Sequence, residues 1–328
     1  TIWQNAGRVS VAYGEPGAPA DGLDWACVGE HQTHQLGDAV TAADVNGDGF
    51  DDLLASAPYP VPLETGGRVY VFYGSTDGLP ATADFVLVGT EEQFGRSLAN
   101  VGDVDGDGYL DVVVGSPEAN GDTGRVYLYK GSPTGLSETA DWSYTAPAGT
   151  NNLGWALAGG DINGDGYADF AAGAPGTTLD EAAKVYVFYG GPNGPGSVPG
   201  WSSPGPSVGS GFGRSLAFGD LDGDGDTDLV VGAPYHENTQ YLEGAVYAFF
   251  ANSSGLPVLP GWVQYGGVPQ AYLGKRVAVA DINHDGPADV AVAATGYSNG
   301  QTQEGKAYLY TAPLAIGNPP VSGCCCCR

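Results

Sequence analysis

The chain contains no methionine and only 11 lysines and arginines among its 328 residues. With no Met at its head, Thr1 is not an initiator, so the sequence is expected to be a mature form or an excerpt without a secretory signal. The few basic residues face 38 acidic ones, for a formal charge of −27. Nucleic acids and anionic membrane surfaces are therefore not expected partners, because both require a positive protein face. No stretch reaches the roughly 20 apolar residues of a spanning helix, so no membrane span is expected. Cysteine is sparse and badly spaced for a disulfide framework: Cys27 stands alone, and Cys324, Cys325, Cys326 and Cys327 are consecutive. Capped, helix-period segments are missing too. What fills the chain is glycine (55), proline (23), valine, alanine and aromatics, the composition of a turn-rich all-β protein rather than of a disordered one.

Self-comparison shows a repeat. The acidic stretch "DVNGDGFDD" at 44–52 recurs as "DVDGDGYLD" from 103, "DINGDGYAD" from 161, "DLDGDGDTD" from 220 and "DINHDGPAD" from 281, at spacings of 59, 58, 59 and 61 residues. Three landmarks keep step. An apolar-Gly pair precedes each loop ("LG" at 36, "FG" at 94, "LG" at 153, "FG" at 212, "LG" at 273). A small-residue-Pro turn follows it ("SAP" at 56, "GSP" at 115, "GAP" at 173 and 232), and then a Val-Tyr run such as "GRVYVFYG" at 67. Each period closes on one aromatic: Trp25, Phe85, Trp142, Trp201 or Trp262. Period-2 alternation bounded by Gly, Pro, Asn and Asp predicts four short strands per period. Four antiparallel strands repeated at this interval predict propeller blades around an axis, each burying its faces against its neighbours, and hence one domain.

Those landmarks, in order and in register, resemble the FG-GAP repeat family, whose best-known members are the β-propellers of integrin α-subunits, with many secreted or surface-anchored bacterial relatives. The resemblance runs from Gly7 to about Pro313, with Leu for Phe at 36, 153 and 273, and "AATG" where the last repeat should carry Gly-Ala-Pro. It implies a propeller over 1–313, with repeats near 31–88, 89–147, 148–205, 206–265 and 266–313. The segment 7–30 supplies the last two strands of a further blade, and 314–328 is a tail. About six blades are expected, the N-terminal strands completing a split blade with the C-terminal segment; seven, the usual family number, is the count if the molecule is truncated. The tail "GNPPVSGCCCCR" resembles the start of certain bacterial sorting signals but lacks their hydrophobic span; processing, truncation, a sequence artefact and a soft metal site all stay open.

In the acidic loops, alternate oxygen-bearing residues precede a glycine at position 6, whose freedom at positive φ permits a sharp turn. Positions 1, 3, 5 and 9 with the carbonyl of position 7 form the expected ligand sets. The first is Asp44, Asn46, Asp48, Phe50 and Asp52; the second is Asp103, Asp105, Asp107, Tyr109 and Asp111. The third is Asp161, Asn163, Asp165, Tyr167 and Asp169; the fourth is Asp220, Asp222, Asp224, Asp226 and Asp228. The last is Asp281, Asn283, Asp285, Pro287 and Asp289, expected to be weaker because His284 replaces a glycine and Pro287 stands at position 7. Calcium accepts six to eight oxygens in irregular geometry and suits such cages better than magnesium, so up to five calcium ions are expected. They would bring the formal charge of −27 to about −17. An EF-hand is excluded, since position 12 is Ala55, Val114, Ala172, Val231 or Val292 and never Glu. Ordinary turn chemistry explains one Asp-rich turn. It does not explain five in register.

Other conspicuous residues read more plainly. The strand-four aromatics and Val-Tyr strands are expected to pack between blades, and Trp155 and Tyr109 are candidates for exposure. His31 and His34 form an H-x-x-H pair beside Glu30, where a solvated loop is expected over a zinc site. Cys27 is expected to be a small buried hydrophobe.

Alternating connections put all five acidic loops on one face and the variable connections, such as "PEANGDTG" from 117 and "PYHENTQYLEG" from 234, on the other. A rigid scaffold with variable loops suits binding. The family resemblance implies calcium on one face and ligands on the other. The expected function is thus a secreted or cell-surface, calcium-dependent module that recognises an extracellular protein or glycan in adhesion. A lectin, a structural or accessory domain of a larger secreted enzyme, and an enzyme follow in that order. Catalysis ranks last, because the chain has four His, no nucleophile elbow and no H-E-x-x-H.

Overall fold

The computed structural model describes residues 6–13, 23–31, 33–59, 66–252, 255–298, 300, 303–312 and 314. The Cys324–Cys327 run, most of the tail and residues 60–65 of the first variable loop lie outside them. The described chain is all-β, with 21 strands and one short helical turn at Ala119–Asp122.

A two-stranded sheet comes first, β1 (Arg8–Val11) with β2 (Trp25–Val28). Four complete sheets follow, each an antiparallel meander in chain order. The first is β3 (Val40–Ala43), β4 (Asp52–Ala57), β5 (Arg68–Phe72) and β6 (Phe85–Val88). The second is β7 (Ser97–Gly102), β8 (Asp111–Ser116), β9 (Arg125–Tyr129) and β10 (Trp142–Thr145). The third is β11 (Ala156–Gly160), β12 (Asp169–Ala174), β13 (Lys184–Phe188) and β14 (Trp201–Pro204). The fourth is β15 (Ser215–Gly219), β16 (Asp228–Ala233), β17 (Ala245–Phe249) and β18 (Trp262–Tyr265). A three-stranded sheet ends the series: β19 (Leu273–Ala280), β20 (Asp289–Ala294) and β21 (Lys306–Tyr310). The first four periods show the predicted four strands at the predicted landmarks, and the last shows three among the described residues.

The sheets pack face to face around an axis, with β3, β7, β11, β15 and β19 as consecutive inner neighbours. That packing explains the second strand of each blade. In β8, β12 and β16 every residue is buried, because both faces meet another sheet, and the sequence there is continuously small or apolar ("DVVVGS", "DFAAGA", "DLVVGA"). The strand-four aromatics bridge blades as expected: Trp142 packs edge-on to Phe170 and Phe188, Trp201 to Phe249, and Trp262 to Tyr310.

The turn glycines mark where blades touch. A Cβ on Gly115, Gly173 or Gly232 would lie about 2 Å from the carbonyl oxygen of Gly154, Gly213 or Gly274 in the next blade. Backbones meet there with no room for a side chain. The last repeat carries Ala293 at this position, and among the described residues no sheet follows it.

The expected split blade is not assembled among the described residues. The β1–β2 sheet packs on β3–β6 through Val9, Trp25 and Cys27, while β19–β21 packs on β15–β18, and no ladder joins the two. A fourth strand for the last sheet would fall after Ala312, where almost nothing is described.

Candidate metal centres on one rim

Each inner strand runs from the apolar-Gly pair at one rim to an acidic loop at the other. β7, for example, starts after Gly95 and Arg96 and ends at Gly102, just before Asp103. Six residues at ~3.3 Å each separate the rims by roughly 20 Å. All five acidic loops consequently share one rim.

Within a loop the backbone wraps the first aspartate. Asp44 accepts N–H bonds from Gly47 (2.7 Å), Asp48 (3.1 Å) and Gly49 (2.9 Å). Asn46 Oδ1 accepts from Asp48 N, and Asp48 Oδ1 from Phe50 N, both at 2.9 Å. The same three bonds recur at Asp103 and Asp161; Asp220 accepts those from positions 4 and 6, and Asp281 those from positions 5 and 6 at 3.2 and 3.1 Å. Gly49, Gly108, Gly166 and Gly225 take φ of 93°, 94°, 89° and 93°, which is why position 6 is glycine.

Position 9 does something the sequence did not disclose. Asp52, Asp111, Asp169, Asp228 and Asp289 are fully buried. Both carboxylate oxygens of each accept backbone N–H bonds. Asp111 takes one from Val104 of its own loop (2.9 Å) and one from Gly131 after β9 (2.9 Å). Asp52, Asp169, Asp228 and Asp289 repeat this with Val45 and Gly74, Ile162 and Gly190, Leu221 and Ala251, and Ile282 and Ala312. The position-9 carboxylate thus staples loop to sheet, whatever else it binds.

The spacing of oxygens suits a divalent ion. One carboxylate oxygen each of Asp103, Asp105 and Asp111 lie within 4.8 Å of one another, as do those of Asp220, Asp222 and Asp224. Oxygens around one calcium at ~2.3–2.6 Å span at most about 5 Å, so these sets fit. Lys130 Nζ stands 2.6 Å from Asp105 Oδ2, the one cation that the described ion pairs place in an acidic loop.

The loops also interlock. Tyr109 packs over Gly47, Tyr167 over Gly106 and Pro287 over Gly223, so position 7 of one loop covers position 4 of the loop before it. Ala168 N bonds Asp103 O and Ala288 N bonds Asp220 O across the same junctions. Nothing described follows the last loop. His284 occupies its position 4 at φ 60°, where a following loop would need glycine. Ile282 is 51% exposed, while its counterparts Val45, Val104, Ile162 and Leu221 are buried. The departures of that repeat coincide with its uncovered side. Tyr109, a candidate for exposure, is half-buried by this packing.

Burial pushes the position-9 carboxyls of the first four loops up from an ordinary 3.8, to about 6 for Asp52 and Asp169 and about 7 for Asp111 and Asp228. The backbone N–H bonds pull them back in part, and the neighbouring aspartates add to the rise. A carboxyl whose folded pKa exceeds its unfolded value binds protons more tightly in the native state, so it favours folding at low pH and loses that contribution as pH rises through the folded pKa. In chelator the melting temperature should therefore rise as pH falls from about 7 towards about 5. Saturating calcium should flatten or reverse the trend. A melting temperature in chelator that falls steadily over this interval would show that burial of these carboxyls does not govern the metal-free rim.

Elsewhere, two expectations change. His34 is fully buried, its ring edge-on to Tyr70 (6.2 Å) and His31 (5.7 Å), so it belongs to the packing and not to a solvated loop. Cys27 is half-buried, not buried, because β2 is covered on one face only.

On the opposite rim, Glu243 is a second residue the sequence reading missed. Fully buried, it accepts N–H bonds from Asn238, Thr239, Gln240 and Gly267, holding the loop 234–244 in shape. Burial alone would raise its pKa; the four bonds outweigh it and the net shift is downward.

The comparisons with known proteins agree with this architecture. The FG-GAP repeat model matches residues 36–72, 94–129, 153–188, 212–249 and 273–310, each span running from the apolar-Gly pair to the end of strand three. The chain is 37% identical to integrin alpha-4 of Xenopus laevis over 148 residues, 42% of this chain and 14% of that protein. It is 34% identical to human phosphatidylinositol-glycan-specific phospholipase D over 232 residues, 63% of this chain and 27% of that one. Integrin alpha-6 of Gallus gallus is 32% identical over 187 residues, 56% and 17% respectively. The chain spans less than a third of the length of each of these relatives. With five matched repeats covering more than half its residues, the chain belongs to the FG-GAP repeat family and is an integrin-like β-propeller.

Proposed function

We propose that this chain is an extracellular or cell-surface recognition propeller whose acidic rim is held by calcium and whose opposite rim meets a partner. The observation that carries the reading is the repetition of one oxygen cage, five times in register, on a single rim. Positions 1, 3 and 5, the carbonyl of position 7 and the carboxylate of position 9 would supply the ligands. Calcium would neutralise their mutual repulsion and tie each loop to the next blade. Up to five ions bind, the 281–289 loop most weakly, since nothing described covers it. The other rim is suited to recognition because its connections differ between blades and are preorganised, as Glu243 shows. Among the described residues no helix is long and apolar enough to cross a membrane.

The test is a binding screen of the calcium-loaded chain against extracellular matrix proteins and a glycan array, repeated with a chelator. Saturable binding that disappears on chelation is expected. Binding that survives complete removal of the ions would sink the proposal. The likeness to a phospholipase D supports a second reading, in which this propeller is the accessory domain of a larger secreted enzyme. Activity that depends on the propeller in a longer form of the chain would establish it.

A further inference from the structure

The axis opens on the rim opposite the acidic loops in a cavity of about 230 Å3, and its lining is unlike the rest of the molecule. The residue after the apolar-Gly pair points there from each blade: Asp38, Arg96, Trp155 and Arg214, with Arg276 from the last. Three of the chain's 11 basic side chains thus converge on one opening of a protein with charge −27. The guanidiniums of Arg96 and Arg214 lie over the Trp155 ring at 5.0 and 4.4 Å from its centroid, reaching it from the blades on either side. Arg214 also lies over Tyr235, whose hydroxyl takes a bond from Lys275 Nζ (3.1 Å).

One carboxylate already sits in this ring, Asp38 at 2.7 Å from Arg96. Arg214 and Arg276 have no acidic partner among the described residues. Arg276 bonds the carbonyl of Lys275, and the Nε–H of Arg214 is buried without an acceptor. An anion placed between the two guanidiniums gives them a charge-assisted partner and screens the repulsion between the arginines.

We propose that this axial mouth binds one carboxylate of an acidic peptide segment, an Asp or Glu side chain of a partner protein, between Arg214 and Arg276 beside Trp155. The proposal rests on the reading of this rim as the recognition face and narrows it to a ligand chemistry. A single carboxylate is favoured over a polyanion because the surrounding loops carry Glu91, Glu92, Glu118, Asp122 and Glu237. Like charges on this rim, of which Glu118 lies in the field of Arg96, repel a chain of sulfates more strongly than a single carboxylate on a slender stem.

The experiment titrates the full calcium-loaded chain, at constant ionic strength, with acetyl-Gly-Glu-Gly-amide, its Gln counterpart and a sulfated heparin hexasaccharide. The readouts are the nitrogen-proton resonances of the Trp155 indole and the Arg214 Nε–H. The Glu peptide should move both saturably, and the Gln peptide should bind at least tenfold more weakly. Arg276→Gln, which removes only a bond to a backbone carbonyl and should fold normally, should weaken the Glu peptide about tenfold, as should Arg214→Gln. No response to the Glu peptide, equal response to the Gln peptide, or tighter binding of the hexasaccharide at the same resonances would each overturn the proposal. Calcium stoichiometry on the same samples separates the two readings. Ions bound with no peptide response overturn the mouth alone, and absent ions with an intact response overturn the loop assignment alone.

Discussion

Removal of divalent ions should lower the melting temperature of this propeller by roughly 20–30 °C. Each site filled at a hundredfold excess over its dissociation constant contributes about 2.7 kcal/mol, so five contribute about 13 kcal/mol, comparable to the whole stability of an ordinary domain. At about 2 °C per kcal/mol for a chain of this size the shift follows. The physical source is the crowding of the loops, which place three, four, three, four and three carboxylates at positions 1, 3, 5 and 9 on one rim. Two carboxylates ~4 Å apart repel by about 4 kcal/mol at an effective dielectric near 20, and a bound ion converts that into attraction. Because the loops interlock through Tyr109, Tyr167 and Pro287, and through the Ala168 and Ala288 bonds, loss of one ion should loosen its neighbours. Calorimetric melts in calcium and in excess chelator measure the effect. Superimposable melts would dispose of the calcium reading.

The second large effect separates the two jobs in a loop. Asp111→Ala should destabilise the protein by about 3–5 kcal/mol in calcium, because it strips two N–H bonds from a buried acceptor and leaves both donors unpaired. About half of that loss should persist in chelator, where the staple still works without the ion. Asp107→Ala should behave differently. Its carboxylate is exposed and accepts one local bond from Tyr109 N, so the variant should lose one calcium ion and show no destabilisation in chelator. His34→Ala serves as the control, a packing change with unaltered stoichiometry. Denaturant titrations with and without calcium distinguish the three. If Asp111→Ala and Asp107→Ala were equally silent in chelator, position 9 would be a ligand only.

The period was legible because each blade needs the same devices at the same places. The turn glycine of "GSP" recurs because the next blade's backbone presses on it, and the Trp of strand four recurs because it bridges blades. That Asp111 staples its loop to the sheet was not legible, since a ligand and a hydrogen-bond acceptor look alike in sequence. His284 and Ala293 read as defects of the last repeat until the fold showed that both stand where no further described blade presses. Arg96, Trp155 and Arg214 each follow an apolar-Gly pair at intervals of 59 residues, but that spacing does not disclose that their side chains meet at the axis.

Residue order by itself determined the class of fold, the blade landmarks and the rim on which oxygens gather, because strand period, turn chemistry and a repeat of near-constant length are local properties of the chain. Only the tertiary structure decided which carboxylates are buried staples and which cations meet at the axis. Burial and convergence depend on how separate blades face one another, and that information lies in the packing of residues far apart along the chain.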